Sequence, residues 1–359
     1  MLAADSGSTE NSRKLAHESA AANCAMGRRF HQDNYRHLRL LIQRSLADCP
    51  GFGPHVDVDG KISHIGEGLW HKNYWFWVQG PKLPAARAEN AYVLRLLDQR
   101  EDWQLGPEPR DRLVREAETL QVLRKIDFAH PTPEFICFVN DETCQPIGMI
   151  ETALAGYSLH GSKEPTTLKL IGQVAANVHR LNVDQFPHLP ASDSPAQHVR
   201  ERLDELDESL FTEFSLANEV RDWIETHLPS GYDPCILHRD LLPQNLLCKW
   251  PALVRDDLPV GVVDWEMTRI GDPAYDLAIV SRGNRKVLGR KEGVRVLVEE
   301  YVNSGGSPIS LANVQVHELL LVLNWLEEAW REHREPQAGG HGPGFYEDKL
   351  RSLFRRVLG

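Results

Sequence analysis

The chain has 359 residues, 42% of them hydrophobic and 25% charged, with a formal net charge of -11. That length allows two domains with separate cores, and the composition is that of an ordinary globular protein. The acidic balance excludes a general binder of nucleic acid or of anionic membranes, since each needs a basic face, and it suits a cationic substrate. The six cysteines, at 24, 49, 137, 144, 235 and 248, form no CxxC pair and no zinc-finger spacing, so they read as thiols in a reducing compartment. The longest apolar runs, such as 319–323, are too short to span a bilayer. No basic stretch followed by an apolar one opens the chain, so the expected location is the cytoplasm.

Residues 1–25 are rich in Ala, Ser, Asn and charge, and read as frayed. Phe30, Tyr35, Leu38, Leu41, Ile42 and Leu46 recur at helical spacing, and Cys49-Pro-Gly-Phe-Gly-Pro54 ends that helix. Residues 1–50 are thus an extension with an accessory helix, a brace packed on the next domain. Lys61–Ile65 and Asn73–Val78 predict strands around a Gly66-Glu-Gly68 turn. Such a turn exposes backbone N–H groups and a gap that a phosphate can enter, although most are plain hairpins. Residues 88–97 predict a third strand carrying Arg95, and 111–126 a helix carrying Glu116. Phe135–Val139 and Ile147–Ile150 are two more strands around a polar turn. Residues 51–153 therefore predict an antiparallel sheet with one inserted helix.

Beyond 153 the pattern turns helical. Leu170, Ile171, Val174, Ala175, Val178 and Leu181 share one helix face, which His179 abuts as a structural histidine. Residues 196–229 are helical with a solvated acidic face. Helices come after Gly271, at 290–303, at 311–334 with Glu327 and Glu328, and at 345–358. Residues 154–359 predict a larger, mainly helical lobe around a small β element.

That β element carries the chemistry. Ile236-Leu-His-Arg-Asp-Leu-Leu-Pro-Gln-Asn-Leu-Leu247 sets apolar pairs on both sides of Asp240 and Asn245, and Val262-Val-Asp-Trp-Glu266 ends an apolar run on Asp264. Singly, Asp and Asn are common turn residues. Together, two short strands would bring both carboxylates and the amide to one sheet edge. There Asp240 can orient a hydroxyl, and Asn245 with Asp264 can offer hard oxygens to Mg²⁺. Phosphoryl transfer requires this set, because positioning and charge neutralisation supply most of its catalysis.

His238-Arg-Asp240 with Asn245, Val262-Val-Asp-Trp-Glu266 and Gly271-Asp-Pro-Ala-Tyr-Asp-Leu-Ala278 resemble the aminoglycoside phosphotransferase and choline kinase family, a branch of the protein-kinase-like fold. Gly66–Tyr74 resembles the family's nucleotide-covering loop, Tyr92-Val-Leu-Arg95 its third strand, Ile150–Gly156 its hinge and Val174–His179 its first large C-lobe helix. The resemblance implies an α+β, two-lobed fold: a small antiparallel β-sheet N-lobe (51–153) with one helix, and a larger helical C-lobe (154–359). It implies ATP or GTP and Mg²⁺ as cofactors, Asp240 as catalytic base, and Asn245 and Asp264 as metal ligands. Gly66, Gly68 and Arg95 would contact the phosphates, with Glu116 pairing to Arg95. Backbone at Glu151 to Ala153 would meet adenine, and Asp276 would brace the catalytic loop. Arg95 stands where lysine is commonest in protein kinases, the metal strand reads Asp-Trp-Glu, and no Ala-Pro-Glu segment comes after it, which separates the chain from protein kinases.

The expected function is transfer of the γ-phosphoryl group to a hydroxyl of a small molecule. Glu266, Glu327 and Glu328 are candidate contacts for an amine on that acceptor. The expected partners are nucleotide and acceptor alone, with no nucleic acid and no membrane. Two alternatives are a nucleotide-binding protein with little catalysis and a protein-directed kinase of the same fold.

Overall fold

The computed structural model describes residues 35–67, 71–80, 83, 90–97, 109–162, 165–249, 260–284, 286–334 and 341–359. They divide into two compact units, Met1–Leu105 with Phe135–Ala153, and Gly106–Glu134 with Leu154–Gly359.

In the first unit a helix over 35–47 (α1) precedes five antiparallel strands: β1 (Asp57–Glu67), β2 (His71–Gln79), β3 (Ala91–Leu97), β4 (Phe135–Asn140) and β5 (Pro146–Thr152). They lie in the order β1-β2-β3-β5-β4. The period-two alternation of β2 explains its placement: Phe76 and Val78 are buried, while Trp75 and Trp77 lie together on the other face with ring centroids 4.9 Å apart. The buried side chains meet Val58, Ile62, Tyr92, Leu94, Val139 and Ile150. One stripe of α1, Leu38, Ile42 and Leu46, completes that core. The accessory helix is therefore a brace on the sheet, as its periodicity implied. Gly148 is required where β5 passes β3, because a Cβ there would stand 2.6 Å from the Arg95 carbonyl oxygen.

The second unit contains α2 (Pro109–Lys125), which its place in the sequence had suggested for the small lobe. Its contacts explain the grouping: Thr119 Oγ1 lies 3.0 Å from His188 Nε2, and Glu116 accepts a hydrogen bond from the Trp265 amide. Seven further helices come next: α3 (Pro165–His179), α4 (Pro195–Asp204), α5 (Glu208–Glu213), α6 (Ser215–Thr226), α7 (Ala274–Ser281), α8 (Gly293–Asn303) and α9 (Leu311–Arg334). The chain ends in α10 (Pro343–Leu358). The single helical stretch expected over 196–229 is three helices, because Asp207 caps α5 and Phe214 separates it from α6. Apolar faces of α4, α5, α6, α9 and α10 form one core, with Leu319, Leu320 and Leu323 of α9 fully buried or nearly so.

Five short strands are set into this helical body. β6 (Tyr157–Ser158), β8 (Leu246–Cys248) and β9 (Gly261–Val262) form one small sheet, and β7 (Cys235–Leu237) pairs with β10 (Arg269–Gly271) in another. The candidate residues stand at the ends of these strands. Among the described residues no helix is long and apolar enough to cross a membrane.

Candidate active site

β7 consists of three fully or nearly buried apolar residues, and it delivers the chain directly into His238, Arg239 and Asp240. His238 is wholly buried. Its Nε2 lies 3.0 Å from the Val263 carbonyl and its Nδ1 accepts from the Asp240 amide at 3.3 Å. Only the neutral ring with the proton on Nε2 satisfies both contacts. Burial agrees, holding the His238 ring below the ordinary histidine value. Arg239 has a φ of 67°, in the left-handed region that side chains other than glycine rarely adopt. Asp276 of α7 holds it there. One carboxylate oxygen accepts from the Arg239 amide at 2.7 Å and the other from the His238 amide at 2.8 Å. The turn that projects Asp240 is thus fixed by a buried carboxylate, the bracing role implied for Asp276.

Asp276 has a second support. His179 Nε2 lies 3.1 Å from its Oδ2, and His179 Nδ1 lies 3.0 Å from the Tyr301 hydroxyl, which accepts from the Ser307 amide at 3.1 Å. The directions are consistent: Tyr301 donates to Nδ1 and Nε2 donates to the carboxylate. Burial alone would raise the Asp276 carboxyl, but the hydrogen bond from His179 and that from the His238 amide help to outweigh it and hold it below its usual value. His179 is structural, as its position beside an apolar helix face suggested. Tyr301 gave no signal in the sequence, because its part depends on α8 lying along α3.

Asp240 and Asn245 are joined directly. Asn245 Nδ2 donates to the Asp240 carbonyl at 2.9 Å and to its Oδ2 at 2.7 Å. Both amide hydrogens are engaged, so the oxygen Oδ1 is the atom Asn245 has to offer a cation. The ladder between β8 and β9, extended by the Val263 amide donating to the Asn245 carbonyl at 3.1 Å, brings Asp264 beside this pair. Asp264 has a φ of 72°, so both loops that carry a site carboxylate turn through the left-handed region. Burial raises the Asp240 carboxyl to about 6, the Asp264 and Glu266 charges add to the rise, and Asn245 and Arg282 oppose it. Arg282, at the C-terminal end of α7, was not singled out in the sequence.

The residues fit Mg²⁺. An amide oxygen and a carboxylate are hard donors, and a cation would relieve the repulsion that raises Asp240. Among the described residues no three His, Cys, Asp or Glu side chains converge into a metal cage, and magnesium, which keeps water and phosphate oxygens, needs none.

Trp265 is wedged behind the segment that carries Asp264. It is fully buried, its ring lies 4.6 Å from His238 and 5.8 Å from Phe128, and its indole N–H donates to the Val262 carbonyl at 3.2 Å. Its amide donates to Glu116 Oε1 at 3.0 Å. Glu116, expected as the partner of Arg95, is therefore tied to the residue after Asp264.

Arg95 is buried in β3 opposite Asn73 and Met149, with Nη2 3.5 Å from His71 Nδ1. Gly66 lies opposite Asn73 at a register irregularity in β1, and Gly68 lies outside the described residues. Glu151 is inside the sheet, opposite Val93 and Phe135, and the Ala153 amide donates to the Ala91 carbonyl at 2.9 Å. Within the 151–153 backbone expected to meet adenine, the Ala153 N–H is thus engaged by the sheet. Glu266 is buried, and its charge acts on both Asp240 and Arg112. Glu327 is a structural carboxylate: it accepts from the Asp207 amide at 2.7 Å and from Arg331 at 2.6 Å. Glu328 is exposed beside the charges of Glu332 and Glu327.

A family model described as "Phosphotransferase enzyme family" matches residues 62–308. A sequence comparison with curated proteins returns no match. Among solved structures, the chain is similar to the GDP and kanamycin complex of APH(2")-IIia, with a TM-score of 0.59 and 15% identity over 90% of this chain and 97% of that one. It is similar to macrolide 2'-phosphotransferase type I, with a TM-score of 0.55 and 15% identity over 90% and 97% of the two chains. It is also similar to macrolide 2'-phosphotransferase MphH from Brachybacterium faecium, with a TM-score of 0.52 and 20% identity over 80% and 96%. At these identities the likeness establishes the fold.

Proposed function

Because the chain belongs to the phosphotransferase enzyme family, with its kinase-like fold, we propose that it moves the γ-phosphoryl group of ATP or GTP to a hydroxyl of a small, amine-bearing molecule. The observation that carries this reading is the clamp between Asp240 and Asn245, which aims one carboxylate oxygen and one amide oxygen from a loop that Asp276 braces.

Asp240 accepts the hydrogen bond of the acceptor hydroxyl and takes its proton as the new O–P bond forms and the β–γ bridging oxygen leaves. Asn245 and Asp264 would hold Mg²⁺, which would supply neutralisation of charge on the phosphates. On the smaller unit, Gly66, Gly68 and Arg95 are the proposed phosphate contacts, and backbone at Glu151 to Ala153, apart from the engaged Ala153 N–H, is the proposed adenine edge. Glu266 and Glu328 are the proposed contacts for an acceptor amine. Glu327 is left out of that set because its carboxylate is engaged. The neighbours named for GDP with kanamycin and for macrolides are consistent with a guanine or adenine nucleotide and a hydroxylated small acceptor.

The test is nucleoside diphosphate release, measured with ATP and with GTP across aminoglycosides, amino alcohols and macrolides. Asp240→Asn is expected to lower turnover at least 10³-fold, the scale of a lost base with its positioning, while nucleotide affinity stays within a few fold. Turnover near that of the unsubstituted enzyme in this variant would remove Asp240 from its role. Phosphate incorporated into polypeptide but into none of the small molecules would replace the acceptor class.

A further inference from the structure

The smaller unit holds a pair of thiols that phosphoryl transfer does not use. Cys49 lies just past the end of α1, and its thiol donates to the Ser45 carbonyl at 3.0 Å. Cys137 lies in β4, opposite Ile150 of β5, and its thiol reaches the same Ser45 oxygen at 3.6 Å. The two sulfurs, far apart in sequence, converge on one acceptor oxygen, at 3.0 and 3.6 Å. The neighbouring Cys137 holds the Cys49 thiol below its ordinary value, while Cys49 and burial push that of Cys137 up. Burial pushes the Cys235 and Cys248 thiols upward instead. Cys49 is buried and Cys137 is partly exposed, so a small oxidant can approach from the β4 side. Two thiols drawn to one backbone oxygen, one held below its ordinary value, are the arrangement of a nucleophilic and a resolving cysteine.

We propose that Cys49 and Cys137 are a redox-responsive pair, which a hydroperoxide converts to an intramolecular disulfide joining the end of α1 to β4. The Cys49 thiolate attacks a peroxide oxygen, the O–O bond breaks, and hydroxide leaves, giving a sulfenic acid. The Cys137 thiol then attacks that sulfur. The S–S bond forms, the S–O bond breaks, and water leaves. With hydrogen peroxide, two thiols give up two electrons and two hydrogens and the peroxide becomes two waters. The bond closes the segment containing β1, β2 and β3, so it restrains the sheet that carries Arg95.

The full-length protein is treated with a small excess of hydrogen peroxide, free thiols are alkylated, and the non-reduced digest is analysed by mass spectrometry. A Cys49–Cys137 linked peptide is expected, two hydrogens lighter than the separate pair and released by dithiothreitol, with exposed Cys144 alkylated as the control. The oxidised protein should melt at a higher temperature than the reduced one, and Cys137→Ser should lose that shift. Recovery of both cysteines alkylated overturns the proposal. So does either sulfur paired elsewhere, or Cys137 recovered as sulfinic acid without a cross-link. The mass measurement is made on the unsubstituted chain, so it decides the question even where Cys137→Ser folds poorly.

Discussion

Replacing Asp276 by Asn tests the architecture of the catalytic loop with almost no change in volume. The carboxylate is fully buried and accepts from His238 N–H at 2.8 Å, Arg239 N–H at 2.7 Å and His179 Nε2 at 3.1 Å. The amide keeps one oxygen, and its NH₂ must face at least one of these donors. A hydrogen bond to a charged acceptor contributes about 1.5–3 kcal/mol, and a stranded buried donor costs about 1–3 kcal/mol. Together these give a loss of roughly 3–5 kcal/mol, the size found when one partner of a buried ionic contact is removed. For a unit of this size that lowers the melting temperature by roughly 6–20 °C. Turnover below the melting temperature should fall about 10²-fold, because the left-handed turn at Arg239 that aims Asp240 loses one of the bonds holding it. Scanning fluorimetry with and without nucleotide reads the first effect, and diphosphate release at about 20–25 °C reads the second, an ordinary assay temperature at which the folded state dominates. A variant that melts within about 2 °C of the unsubstituted protein and turns over within twofold would show that the loop holds its shape without Asp276.

Three further outcomes are expected from the same contacts. Tyr301→Phe removes the hydroxyl that links Ser307 to His179, and should destabilise by about 1–2 kcal/mol. In a double-mutant cycle with His179→Gln the two losses should fall short of additivity, and strict additivity would place them in separate networks. Gly148→Ala puts a Cβ 2.6 Å from the Arg95 carbonyl, so it should destabilise the smaller unit by about 1–3 kcal/mol; an unchanged melt would mean that β5 yields at no cost. Finally, burial holds His130, His198 and His238 below the ordinary histidine value. The unfolded chain therefore binds more protons below about pH 6.5 than the folded one. Their contribution is complete above that pH and is lost as the pH falls toward the folded values. Melting temperature should decline from about pH 7 to about pH 5.5, and a flat profile would show that these rings protonate freely in the folded state.

The amino-acid pattern alone determined the reading of phosphoryl transfer. Asp240 and Asn245 are five positions apart between apolar pairs, and Asp264 closes a third apolar run, so residue type and short-range spacing carry that reading. Period also determined the β-rich and helical segments, with α9 matching its expected span of 311–334. What it did not contain were partners set by long-range packing. Glu116 meets the Trp265 amide 149 positions away, and Glu327 meets the Asp207 amide 120 positions away. Nothing near Glu327 distinguishes a carboxylate engaged by backbone from one left for an acceptor, and nothing near Glu116 points to the Trp265 amide. The same holds for Ala153, whose amide is engaged because β3 lies beside it, and for Tyr301, which reaches His179 only because α8 packs on α3. Local spacing specifies which groups can do chemistry. Which of them remain available for it depends on which backbone and side-chain donors the folded chain brings within about 3 Å, and that distance is decided by tertiary structure.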